Sequence, residues 1–345
     1  MAEGKFIKPN NLDLLRLVFA AQVMLFHGFH HILHEKIGWL DHIPGVPAFF
    51  FISGFLIYAA YTRSPSIFLY SQNRFLRLFP GLVFVTLGGV GVVLLAKGGG
   101  FIADNIAVIA GWGLAQTTLG QAYNPSIFRD IGVGVINGSL WTITVEILFY
   151  ICIPVVVWME RFVRHIVVII TIISASIYCA IELDYLSASL GGHSLREYAR
   201  LTPVYWGWMF GLGILAFKYR QYVPLKASMA VASVLVCSML AWLDLQGPLF
   251  SAKGNYIGLL YYLPYAYLIY YVSFAFPLVR LKNDISYGVY IWHMPLVNLL
   301  LVVGFANAVV NLLLVFALTI LFAWFSWKYI EKPALSMKRV SIRAD

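Results

Sequence analysis

From residue 12 to residue 328, long apolar runs alternate with short polar ones. Eleven windows approach the ~20 apolar residues that a helix needs to cross a bilayer. They lie near 12–30, 45–61, 78–96, 101–118, 139–158, 165–185, 201–217, 226–244, 255–279, 285–303 and 306–328. No polar stretch between them is long enough to form a soluble domain of its own. The pattern predicts an all-α, polytopic helical membrane protein, a single domain over 1–345 with short tails at 1–11 and 336–345. The opening MAEGKFIKPNNLD has no small-residue cleavage site, so no removable signal peptide is expected.

Composition agrees with this pattern, and charge refines it. The chain is 61% hydrophobic and 11% charged, with a mean hydropathy of +0.81. A soluble domain carries about 25% charged residues. The net charge of +9 is informative for its position rather than its sum. Lys5 and Lys8 precede the first window, and Arg63, Arg74 and Arg77 follow the second. Arg161, Arg164, Lys218, Arg220, Lys226, Arg280 and Lys282 fill later breaks, and Lys328, Lys332, Lys338, Arg339 and Arg343 close the chain. Loops rich in Lys and Arg face the cytoplasm. This puts both termini inside and calls for an even number of crossings, and it removes any need for a nucleic-acid partner. The odd window lies between 78 and 118, where Gly88, Gly89, Gly91 and Gly98 to Gly100 weaken the helical pattern. One of those two segments is expected not to cross, which leaves about ten transmembrane helices. Cys152, Cys179 and Cys237 fall inside apolar windows without paired spacing and read as packing residues.

Ionisable groups inside apolar windows are costly and mark candidate chemistry. Arg16 and His27 lie in LDLLRLVFAAQVMLFHGFHH, residues 12–31. Eleven positions apart, they return to within about 20° of one helix face, about 16 Å apart along the axis. Arg16 could equally snorkel to the surface, and His27 could be a satisfied core side chain. Ser53-Gly54, in a run of aromatics, lets a helix or ligand approach the backbone closely. Arg74 and Arg77 lie i,i+3 on an amphipathic stretch ending at Pro80. Two forked cations there suit phosphate oxygens, although contact with anionic lipid explains them as well. Glu146, in NGSLWTITVEILFYICIPV, sits a third of the way into a span, where an unpaired carboxylate costs at least ~2.5 kcal/mol. A structural ion pair, a proton relay and a group orienting a base are all open readings for it.

His293 lies inside NDISYGVYIWHMPLVNLLL beside Trp292 and Pro295. His27, His30, His31 and His34 fall at i, i+3, i+4 and i+7, but only Glu35 is at hand to complete a metal site, and none is expected. In the EKP element, Pro333 is expected to end the last helix.

Taken in order, LDLLR–x10–H, FFFISGFL, RFLR with Pro, SLWTITVE–x2–FY, ISYGVYIWHMP and YIEKP resemble the acyltransferase-3 family of integral membrane acyltransferases. The resemblance runs from residue 12 to about 335. It implies a ten-span enzyme of the bacterial cytoplasmic (inner) membrane that takes an acyl group, often acetyl, from acyl-CoA. The acceptor is a hydroxyl of a surface carbohydrate or its lipid-linked precursor, such as O-antigen or exopolysaccharide. His27 would then act as general base or acyl-carrying nucleophile, tasks that suit an imidazole. Arg74 and Arg77 would hold the coenzyme A phosphates, Arg16 would face the donor, and Glu146 would orient His27 or pair with an arginine. Ser53, Trp141, Tyr287 and His293 would line the cavity. One departure from the family pattern is Ile147, where a second acidic residue often follows the glutamate. A proton-coupled transporter or flippase using Arg16, His27 and Glu146 is the rival reading. It predicts related halves with broken helices, and no internal repeat is found.

Overall fold

The computed structural model describes residues 10–186, 189–190 and 193–338. Of the expected tails, 1–9 and 339–345 lie outside the described residues, and with them Lys5, Lys8, Arg339 and Arg343. The helices are α1 (Leu12–Gly28), α2 (Gly45–Arg63), α3 (Ile67–Asp104), α4 (Ile106–Gln116), α5 (Trp141–Met159), α6 (Ile166–Glu182), α7 (Pro203–Lys218), α8 (Ala227–Leu243), α9 (Leu259–Ala275), α10 (Ser286–Val303) and α11 (Ala308–Ser326). A ribbon of two-residue strands, Ser189–Leu190 with His193–Ser194, is the one sheet among the described residues.

Six helical segments are long and apolar enough to cross a bilayer: Leu12–Leu33, Gly38–Arg63, Ile67–Asp104, Trp141–Met159, Ser286–Val303 and Ala308–Ser336. Helices α6 to α9 have 16 or 17 residues, at the short end of spanning length. Helix α4, with 11 residues, reaches about 16 Å, half of a ~30 Å hydrocarbon layer. Ten helices of spanning or near-spanning length remain among the described residues, the number expected from the charge pattern.

Three local expectations change. The glycines at 88, 89 and 91 do not interrupt α3, which leaves helical geometry only at Gly98 (φ 82°). They let neighbours close in instead: a Cβ on Gly88 would strike the Trp292 ring, and one on Gly89 would crowd Trp112 and Ile136. Pro80 does not end the arginine-bearing stretch, because α3 continues through it. A proline can persist within a membrane helix when neighbouring groups satisfy the freed backbone. Nor does Pro333 end the last helix. The chain widens into a π-turn at Trp327–Glu331 and resumes as Lys332–Ser336, with Pro333 in the first turn, where a missing N–H costs little.

The chain forms two compact units. The first comprises the described residues of 1–19, 39–70 and 148–281, and the second those of 20–38, 71–147 and 282–345. In the first, α7 packs against both α2 and α6, and α8 against α9. The close approach of α2 and α7 depends on two reciprocal glycines. A Cβ on Gly54 would collide with the Phe210 carbonyl, and one on Gly213 with the Phe51 carbonyl. Phe149 stacks on Phe210 at 3.9 Å beside them. The Ser53-Gly54 motif is thus a helix-packing device of the small-residue kind found in membranes.

The second unit is organised by α10, whose spanning window is 78% buried, against 28% for Ala308–Ser336. Along it, Tyr287 meets Gly81, Trp292 meets Gly88, and Val297 and Leu300 join Ile32 and Leu312 in an apolar cluster.

Replacing Gly54 or Gly213 with leucine should force α2 and α7 apart and destabilise the protein by about 1–3 kcal/mol or more. Thermal unfolding in detergent should show a marked fall in Tm. Gly91→Ala, where an added Cβ meets nothing within 4 Å, should leave Tm unchanged or slightly raised.

Candidate active site

His27 sits in the last turn of α1, just before the helix widens into a π-turn at Phe29–Leu33. Such π-bulges are frequent at functional sites. The extra residue in the turn breaks the α-helical i, i+3, i+4, i+7 register in which the four histidines would share a face. His30 is exposed and stacks on Phe26. His31 lies beside His27, with ring centroids 5.7 Å apart. The turn closes at His34, which adopts left-handed geometry (φ 56°). No group of three or more potential metal-ligating side chains is found among the described residues.

The central contact is between His27 and His293. His27 Nδ1 lies 2.9 Å from His293 Nε2, and the ring planes differ by 9° with centroids 5.0 Å apart. These values describe two imidazoles joined edge to edge by an N–H···N bond rather than face-to-face stacking. His293 is fully buried in α10, and its other nitrogen, Nδ1, faces the Val289 carbonyl at 3.3 Å. A carbonyl can only accept, so in the neutral ring the proton resides on His293 Nδ1 and Nε2 is bare. His27 must then donate from Nδ1, which leaves a lone pair on its Nε2. This is the form required of a base or nucleophile.

The motif carrying Glu146 is stapled onto α10 beside this pair. Asn137 donates to the Ile291 carbonyl (2.9 Å), Ser139 Oγ to Asn137 Oδ1 (2.8 Å), and Thr142 Oγ1 pairs with the Tyr290 hydroxyl (2.7 Å). The Tyr290 ring lies 6.0 Å from that of His293. Glu146 is half-buried one turn further along α5 and interacts electrostatically with Tyr290. Trp141 opens the same helix.

At the start of α10 stands the arginine pair. Arg77 Nη2 donates to Asp284 Oδ2 at 2.8 Å, and both side chains are largely buried. Asp284 Oδ1 in turn accepts from Ser286 Oγ (2.6 Å), and the guanidinium lies 6.0 Å from the Tyr287 ring centroid. Tyr287 is itself fixed by donating to the Leu78 carbonyl (3.0 Å). Arg74 sits one turn earlier on α3, half-buried. Sequence reading passed over Asp284, although an Asp two residues before a helix start is a common partner for its first N–H groups. Arg16 and Ser53 belong to the first unit. Arg16 lies 4.0 Å from Asp13 on the first turns of α1, and Ser53 adjoins the α2–α7 contact.

Towards the far end of α10, Asn298 is fully buried. It donates to the Val135, Ile136 and Met294 carbonyls and accepts from the Val133 N–H at 2.8 Å. Gly132 adopts φ 54° where a Cβ would collide with Asn298. The loop so held carries Asp130, which Lys97 of α3 contacts directly, keeping its carboxyl below the usual range. With His31, His34, Val133, Leu301 and others they line a cavity of about 660 Å³. At 1.5 Å per residue, His293 stands about 9 Å from Tyr287 and about 12 Å from Leu301 along the axis. The histidine pair lies between the arginine end and the cavity end of this unit.

Residues 10–328 match the family described as an acyltransferase domain. Nodulation protein 10 of Rhizobium leguminosarum bv. viciae is 26% identical over 367 residues, covering 95% of this chain and 94% of its own length. An O-acetyl transferase of Shigella phage Sf6 is 26% identical over 354 residues, covering 98% and 99%. No solved structure matches the chain. The chain belongs to the acyltransferase-3 family and is a membrane acyltransferase, and the transporter reading falls away.

Nitrogen-15 NMR of histidine-labelled protein should find His27 and His293 both protonated on Nδ1. In His293→Phe, which keeps bulk but offers no acceptor, His27 should lose that preference. A bare Nδ1 on His27 in the unsubstituted protein would reverse the order of the chain of hydrogen bonds.

Proposed function

We propose that this protein is an O-acyltransferase of the bacterial cytoplasmic membrane, with both termini inside. It moves an acetyl group from acetyl-CoA to a hydroxyl of a cell-envelope glycan, such as O-antigen or exopolysaccharide, or of its lipid-linked precursor. The observation that carries the reading is the 2.9 Å contact of His27 Nδ1 with the buried His293, which leaves His27 Nε2 for chemistry between a cationic end and a polar cavity. Support also comes from the whole-chain similarity to an O-acetyl transferase and from the basic breaks, which favour a cytoplasmic arginine end.

In this reading Arg74 and Arg77 hold the coenzyme A phosphates, with Arg77 kept in register by Asp284. Trp141, Tyr287 and His293 wall the passage along which the thioester reaches His27. His27 Nε2 takes the proton of the acceptor hydroxyl as its oxygen bonds to the thioester carbonyl carbon. The carbon–sulfur bond then breaks, and the coenzyme A thiolate recovers the proton from His27. The imidazolium formed midway is stabilised by Glu146, acting near Tyr290.

His27→Ala should insert and accumulate normally while transfer falls by about 10² to 10⁴-fold, the usual worth of a general base. Mass spectrometry of envelope glycans should then show one acetyl fewer per repeat. Retention of more than about a tenth of the activity would return His27 to a packing role. Arg74→Lys and Arg77→Lys should each raise KM for acetyl-CoA and leave acceptor KM unaltered, because an ammonium cannot reproduce the guanidinium fork. Unchanged donor kinetics in both would mark the pair as lipid contacts.

A further inference from the structure

The cavity at the far end of α10 is not used by the donor site proposed above, yet it lies one side chain from His27. His31 forms its wall and also stands beside His27, with ring centroids 5.7 Å apart. Its volume of about 660 Å³ falls within the ~300–1,000 Å³ of small-molecule sites. It also combines charges of both signs, since Lys97 and Asp130 meet at its wall together with His31 and His34.

We infer that this cavity is the acceptor subsite and that it takes a neutral, polyhydroxylated sugar ring. The inference rests on the acyltransferase reading above and adds to it the chemistry of the acceptor. A sugar hydroxyl both donates and accepts, so it can give a proton to the Asp130 carboxylate and receive one from the Lys97 ammonium. A phosphate group, or the carboxylate of a uronate, offers acceptors only and would be repelled by Asp130. A lipid tail gains nothing from charged walls. The Asp130 loop is also tied to α10, by Asn298 through three hydrogen bonds to Val133, Val135 and Ile136. Such support from rigid elements is what a positioning site requires. A ring seated here directs one hydroxyl past His31 towards His27.

The test uses the full-length protein in detergent, acetyl-CoA, and the host's own surface oligosaccharide after mild alkaline de-O-acetylation. Asp130→Asn and Lys97→Gln should each raise acceptor KM by about 5- to 100-fold, the range for removing one charged hydrogen-bond partner. The KM for acetyl-CoA should not move, and neither should Tm. Leu301→Trp narrows the cavity without altering its polar wall and should raise acceptor KM as well, which guards against a local rearrangement in the charge variants. A lower acceptor KM in Asp130→Asn, with a higher one in Lys97→Gln, would show an anionic acceptor and overturn the neutral-sugar assignment. Unchanged acceptor KM in all three variants, with the wild type active, would overturn the subsite alone. A wild type that transfers no acetyl group would overturn the underlying function as well.

Discussion

Buried polar side chains on a helix in apolar surroundings have no water to turn to, so each must be satisfied by a neighbour. In the second unit this constraint falls on α10. Its Tyr287, Tyr290, His293 and Asn298 each reach another segment: the Leu78 carbonyl, Thr142, His27, and the 133–136 backbone. These bonds fix the depth of α3, the path of the loop before α5 and the orientation of the end of α1. The site is a consequence of satisfying one buried helix.

The same requirement prepares the chemistry. A histidine alone at the end of α1 would exchange protons between its two nitrogens. The Val289 carbonyl removes that freedom from His293, and His293 removes it from His27. Two hydrogen bonds thus convert a backbone acceptor in α10 into a lone pair on His27 Nε2. At the other end of α10, Asp284 does for Arg77 what His293 does for His27, holding a flexible side chain in one pose. Both contacts are fixed on one rigid element, which lowers the cost of holding the two side chains in position together.

Glycine plays a different part in the two units. In the first, Gly54 and Gly213 bring two backbones together where hydrophobic exclusion cannot, since lipid is as apolar as a helix face. In the second, Gly132 supplies a left-handed turn beneath Asn298, where a Cβ would collide with the amide.

The apolar windows were legible because a bilayer imposes one length and one polarity on every crossing. The topological count followed from where arginine and lysine cluster. Arg16, His27 and Glu146 stood out because charge in an apolar run demands a reason. Other features depended on partners far apart in the chain. Nothing near Arg77 announces Asp284, which is 207 positions away, and nothing near His27 announces that His293 sets its proton. The true arrangement of the four histidines was not legible, because a π-turn, invisible to a 3.6-residue projection, rotates the later rings. The glycines of α3 misled because a residue that weakens an isolated helix also lets a tryptophan pack against it. Local sequence determines what must be buried and what is too polar to be buried alone. Tertiary structure chooses the partner that makes burial possible, and here that choice creates the site.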